Sequence, residues 1–399
     1  MRIGMMVDLY KPHISGITNH IALTKRFLES TGHEVFVFTF GEEEYQDDEP
    51  NVIRSRGLPL IDTGYYFSFR YSLAAQRLLR TMDIAHVHHP FLSGRLAIRY
   101  CMPRGIPIVF TNHTRYDLYT QVYLPMIPDV IGDAFLQAYL PSFCRSIDLV
   151  IAPSAGMREV LQRFGVDVPI EVVPNGVELT PFQSRVEPVE RSVLGFNPDD
   201  VVLIYTGRLG PEKNLPILLR AFAGTAKTYD HVALLIVGDG PERDNLEDRV
   251  QYMGISSRVC FTGMVPYEEL PRYLAMADAF VTASVTEVHP LSVIEAMTAG
   301  LPVLGIYSPG ISDIIEDGIT GMISQDDIAA FTAKMVRLVT DHDGRQQMGE
   351  NARQAAEKYG LERTTQVLLN QYLHLIARSA GRRRGLRTWI AQKIDEILK

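Results

Sequence analysis

The fold class predicted from the sequence is α/β, with two doubly wound, Rossmann-like domains facing each other across a cleft. Three observations predict it. A strand, loop, helix rhythm runs from the first residue; the rhythm restarts after a turn bearing proline and glycine near residue 180; and 399 residues suit two cores better than one.

The elements follow in order. Met1 to Val7 is an apolar run, read as a buried parallel strand, and a loop around Ser15 and Gly16 leads into a helical stretch from Asn19 to Ser30. "HEVFVFTF", His33 to Phe40, is the second strand, followed by strands within Asp83 to Pro90, Pro107 to His113 and Asp148 to Ser154. Each ends in polar, glycine or proline residues, where parallel strands hand over to functional loops. After "VVPNGVELTPF" the pattern returns at Val201 to Gly210, His231 to Gly240, Val259 to Val265, Asp278 to Ser284 and Pro302 to Ile306. The expected division is residues 1–180 and 181–371, with a last helix over about 372–399 packing back on the first domain.

Composition narrows the function classes. Hydrophobic residues at 46% and charged residues at 22% are those of a soluble globular chain, and a net charge of −8 argues against a nucleic-acid partner. No apolar run reaches the roughly 18 to 20 residues of a spanning helix, and the N-terminus lacks the apolar core of a signal peptide, so a cytoplasmic location is expected. The cysteines, Cys101, Cys144 and Cys260, have no ligand spacing and read as thiols.

Two stretches carry chemistry. In "TGRLGPEKNL" a strand ends at Gly207, Arg208 follows, and Lys213 precedes Asn214, expected to cap a helix with Pro216 in its first turn. A small backbone, a planar guanidinium, an ammonium and a helix start suit a diphosphate; the plainer alternative is a turn with two solvated cations. In "TEVHPLSVIEAM" seven residues separate Glu287 from Glu295. Pro290 fits a first helical turn, which puts Glu287 on a loop and Glu295 about one turn inside the helix. Carboxylates accept hydrogen bonds from vicinal hydroxyls, and the free amides of Leu291 and Ser292 suit a phosphate. A hydrolase with paired carboxylates is the competing chemistry, and sequence spacing does not give the separation it needs.

Together with "VGDGP" (Val237 to Pro241), "FTGMVPYEELPRYLAMADAFVTAS", "EAMTAGLPVL", "VVPNGVE" and "TNHT", these stretches resemble the retaining family 4 glycosyltransferases of GT-B fold over nearly the whole chain. The resemblance implies transfer of a hexose from a nucleotide-diphosphate sugar, with a UDP-sugar favoured, to an acceptor hydroxyl, without a metal or other cofactor. By the same resemblance Arg208 and Lys213 hold the diphosphate, Glu287 orients donor-sugar hydroxyls, Glu295 meets the ribose, and His113 contacts the donor sugar beside the reacting carbon. Gly16, Gly207 and Gly238 belong to the donor site as well. Two departures stand out: Ser15-Gly16 replaces a glycine pair, and Glu287-Val288-His289-Pro290 replaces Glu-x-Phe-Gly. Pro290 removes an amide donor, and His289 is expected to supply a side-chain donor in its place.

The acceptor is expected to be a lipid or a small molecule. "TNHTRYDLYTQVYLP" and "HVHHPFLSGRLAIRYC" are most similar to the branch holding bacterial diacylglycerol glucosyltransferases, which puts Arg115 and Tyr116 at the cleft mouth. Arg70, Arg77, Arg80, Arg95, Arg99 and Arg104 give this half a positive bias suited to an anionic membrane surface or to solvent. At the C-terminus, Arg382 to Arg384 precede Leu386, Trp389, Ile390, Ile394 and Ile397 at helical spacing, fit for docking on the first domain or for a membrane interface. His86, His88 and His89 with His113 suggest metal, but strand alternation turns His89 away from the other two, so they read as cleft-lining or capped histidines. Asp313 and Glu316 read as a solvated helix.

Overall fold

The computed structural model describes residues 1–59, 66–123 and 128–397, with the side chains of 129 and 381–397 outside the description. Among the described residues the first sheet has seven parallel strands in the order Val52–Ser55, Glu34–Phe40, Arg2–Met6, Ile84–Val87, Ile108–Thr111, Leu149–Ala152 and Ile170–Val172. The second has six, in the order Val259–Gly263, Val232–Val237, Val201–Thr206, Ala279–Thr282, Val303–Ile306 and Gly321–Ser324. Both orders reverse beside their first strand, and there the carboxyl ends of the strands open a crevice for ligand.

The central strands are apolar along their length because helices cover both faces. Ile3, Met5 and Val7 pack on one side of the first sheet, while Phe38, Val87 and Phe110 fill the other. Val52–Ser55, Ile170–Val172 and Gly321–Ser324 have no counterpart in the sequence reading; they are edge or near-edge strands too short to show a period.

Two helix starts differ from expectation. The first helix begins at Gly16 rather than Asn19, because Ser15 and Thr18 form a reciprocal capping box. Asn214 does not cap the helix Leu215–Ala226 with its side chain: its φ is 54° and its amide donates 3.2 Å to the Ala283 carbonyl. It holds the phosphate-type loop against the neighbouring strand instead.

The long helix Leu361–Ile397 joins the halves. Leu368, Leu369, Tyr372 and Leu375 bury themselves in the core of the first sheet. Where it starts, Leu361 donates to Val177 (2.8 Å) and Val177 donates to Tyr359 (3.0 Å). A Cβ on Gly176 would lie 2.1 Å from the Thr364 hydroxyl, so the two connecting segments cross only with glycine there. The stripe from Leu386 to Ile397 and the run Arg382 to Arg384 lie outside the described side chains. Asp313 is not part of a free solvated face: its carboxylate accepts the Gly156 amide at 2.8 Å across the interface between the halves. None of the described helices is long and apolar enough to cross a membrane.

Candidate active site

The second sheet supplies a nested pair of loops. Gly207 has φ 150° and donates 3.0 Å to Val237, while Gly238, φ 138°, could carry no side chain because a Cβ would stand 2.0 Å from the Gly207 carbonyl. The glycine requirement at Gly238 is therefore internal: it lets the "VGDG" loop back the "TGRLG" loop, whose Leu209 amide donates 2.9 Å to Asp239.

On this support Lys213 donates 2.8 Å to Glu287. Burial works against the ammonium, but the Glu287 carboxylate, aided by Tyr119 and Tyr205, overrides it and holds Lys213 above its usual range. Arg208 donates 2.9 Å to the Tyr123 hydroxyl and 3.2 Å to Glu212, and Tyr123 donates to the buried Glu212 in turn. The sequence reading passed over Glu212, Tyr119 and Tyr123. The signal for Glu212 was an acid between two cations in "GPEKN"; the tyrosines come from the first domain on the helix Tyr116–Tyr123 and had none.

The two glutamates occupy different surroundings. Glu287 is ion-paired, whereas Glu295 is buried, accepts 3.0 Å from Tyr267 and is pushed up to about 7 by burial, which the Tyr267 hydrogen bond only partly offsets. Pro290 sits one residue before the helix Leu291–Thr298, so the amides of Leu291 and Ser292 have no acceptor within the helix. His289 is buried with its ring edge-on to Tyr359 at 5.0 Å; its Nδ1 lacks a protein partner, and its carbonyl accepts 3.0 Å from Asn175. Burial pushes it down to about 3.

The first sheet presents histidines. His113 follows the strand Ile108–Thr111, and its Nε2 lies 3.0 Å from His88 Nδ1. His20, on the first helix, brings its ring within 5.0 Å of His113. His88 Nε2 and His20 Nδ1 are buried without partners. Among the described residues His20, His88 and His113 each place one nitrogen within 4.8 Å of the others, a spacing that the sequence reading attached to a different set. His86 is engaged elsewhere, with the Tyr372 hydroxyl and Thr111, and His89 accepts the Asp8 amide. Burial pushes His20 down to about 4 and His88 and His113 well below the usual range, so all three are neutral near pH 7.

Arg115 pairs with Asp117 at 2.6 Å, and Tyr116 sets its ring edge-on to Phe91 at 5.2 Å. At Gly16 a Cβ would meet no protein atom within 4 Å, so the protein's own packing leaves this helix start open.

Two parallel-sheet domains, a cationic loop backed by glycines with carboxylates beside it, and a cluster of neutral histidines on the first domain have the layout of a GT-B glycosyltransferase. The glycosyltransferase family 4 model matches residues 14–180, and the model for glycosyl transferases group 1 matches 186–355. An alpha-monoglucosyldiacylglycerol synthase of Streptococcus pneumoniae is 31% identical over 334 residues, covering 81% of this chain and 75% of that protein. The same-named enzyme of Acholeplasma laidlawii is 29% identical over 336 residues, covering 81% and 84%. In fold, the chain is similar to HepE of Anabaena, solved with UDP and glucose (TM-score 0.76, 18% identity, 93% of this chain and 99% of that one). It is also similar to sucrose-phosphate synthase of Thermosynechococcus elongatus (TM-score 0.77, 21% identity, 95% and 100%). The chain belongs to glycosyltransferase family 4 and is a retaining hexosyltransferase.

Proposed function

We propose that this protein moves a glucosyl unit from UDP-glucose to a hydroxyl of a membrane glycerolipid, at the cytoplasmic face of an anionic bilayer and without a metal ion. The observation that carries the donor half is the Lys213–Glu287 pair beside Arg208 on a glycine-backed loop, met from the first domain by Tyr119 and Tyr123. The acceptor half is supported by the similarity to enzymes named for diacylglycerol and by arginines exposed on the first domain.

Incoming diphosphate would take over the cation donors now satisfied by Glu287, Glu212 and Tyr123, and Lys213 and Arg208 would then stabilise charge developing on the leaving phosphate. Glu287, freed from Lys213, would accept from donor-sugar hydroxyls; Glu295 would accept from the ribose. His113 would contact the sugar beside its reacting carbon, and the amides of Leu291 and Ser292 would face the phosphate. The acceptor attacks the anomeric carbon on the face from which UDP departs, its proton passing to a phosphate oxygen. This retains configuration and needs no separate enzymic base. Arg115 and Tyr116 border the acceptor's approach.

The test combines thermal shift with turnover. UDP should stabilise the wild type with or without EDTA, by about 2.7 kcal/mol at one hundred times its Kd, and should fail on Lys213→Ala. Transfer from UDP-glucose to dioleoylglycerol should yield the α-glucoside. A protein that binds UDP but glycosylates only water-soluble acceptors would refute the lipid assignment.

A further inference from the structure

A concavity of about 570 Å³ lies on the first domain between the helices Leu92–Tyr100 and Asp129–Cys144, within the size range of small-molecule sites. The second of these helices carries Phe135, Tyr139 and Phe143 at four-residue spacing, their rings stacked 5.6 and 6.0 Å apart. They make an apolar rail about 12 Å long by helix rise. Phe91 stacks on Tyr139 at 5.4 Å and touches Tyr116, at the start of the helix whose Tyr123 holds Arg208. The ring contacts therefore run unbroken from Phe143 to Tyr116, about two helical turns short of the Tyr123 that meets Arg208. Phe135 is 55% exposed and Phe69, at the rim, 73%, an apolar area that a soluble sugar or polyol phosphate acceptor would leave facing water. Arg95 and Arg99 stand exposed one turn apart on the other wall, their stems lining the groove.

Resting on the reading of the acceptor as a glycerolipid, we propose that this groove holds one acyl chain of the acceptor, with the rail guiding the glycerol hydroxyl toward His113 and the two arginines meeting anionic phosphates of the surrounding lipid. A chain drawn from water tightens binding about fourfold per methylene buried.

Two variants separate the groove from the reaction. Ser142→Trp places an indole at an exposed lining position, where folding tolerates it. Glycerol diesters of butyrate and hexanoate, each used below its micelle concentration with UDP-glucose, should differ about sixteenfold in kcat/KM for the wild type if two methylenes of one chain enter the groove. Ser142→Trp should flatten that ratio while leaving UDP binding unchanged. Phe135→Trp supplies a reporter on the rail, to be quenched by bromine-labelled diacylglycerol in vesicles beyond the background of Trp389 measured in the wild type. Quenching without transfer would sink the acceptor reading and leave the groove standing. Transfer with no chain-length effect and no quenching would overturn the groove and leave the reaction standing. Failure of both would remove both.

Discussion

Lys213 and Glu287 form an ion pair that an incoming diphosphate would have to open, and Glu295, buried and pushed up to about 7, would make nucleotide binding depend on pH. If the ribose donates to the ionised carboxylate, UDP affinity should fall as pH drops below about 7, by up to about tenfold per unit, and Glu295→Gln should abolish the slope in calorimetric titrations. The free protein has the opposite sign. Its Glu295 binds a proton more tightly than the unfolded chain does, so from the usual carboxylate range up to about 7 this group weakens the fold as pH rises. If His113 meets the donor sugar as proposed, its contact with His88 bears on catalysis. A buried N–H without a partner is rarer than an under-satisfied acceptor, so the orphaned His88 Nε2 is best left bare. His88 then donates from Nδ1 to His113 Nε2, and His113 keeps its proton on Nδ1. We predict that His88→Ala lowers kcat at least tenfold with little change in UDP Kd; an unchanged kcat would remove this positioning role. Arg208, Lys213, Glu287 and Glu295 were legible as residues because their types and spacing suit a nucleotide sugar, but the resting partners of Arg208 and Glu295 were not, since Tyr123 and Tyr267 approach from other segments.

At the scale of elements, the helix Tyr116–Tyr123 reaches from the first domain to the phosphate loop of the second. Its Tyr123 hydroxyl accepts from Arg208, the donor a bound diphosphate would claim on the proposed reading. Tyr123→Phe should therefore tighten UDP binding about two- to tenfold, the value of one hydrogen bond, with the fold intact. Looser binding in the same titration would mean that the helix supports the site instead of occupying it. The nested glycine loops make the reverse prediction. Gly238→Ala forces a carbonyl to retreat and a side chain into left-handed backbone, so a loss of about 3 kcal/mol or more in chemical denaturation is expected.

Across the whole molecule, burial is the dominant electrostatic fact for six histidines, five on the first domain and His289 on the second. His20, His86, His88, His89, His113 and His289 are all held below the usual histidine range, mainly by desolvation. The unfolded chain binds more protons than the folded one below pH 6.5, so stability present at neutral pH is lost as pH falls through that value. For His20, pushed down to about 4, the full loss is about 3 kcal/mol. Tm should drop steeply between pH 6.5 and 5, and a flat profile over that range would contradict the buried, neutral cluster. If the domains close around the donor, the cross-domain bonds of Tyr123 and of Gly156 with Asp313 would have to rearrange or act as the hinge.

The sequence by itself determined the two sheets and the donor loop. Buried parallel strands need apolar runs, tight loops need glycine, and a diphosphate needs cations near a helix start, all of them local and therefore visible in a short window. Tertiary structure alone decided that His20 rather than His86 joins His113, that His289 turns to Tyr359, and that Asn214 braces a strand in place of capping a helix. It also decided that Gly176 and Gly238 serve crossings of backbone on backbone. Each of these depends on which distant segments meet, and no periodicity or spacing along the chain encodes that.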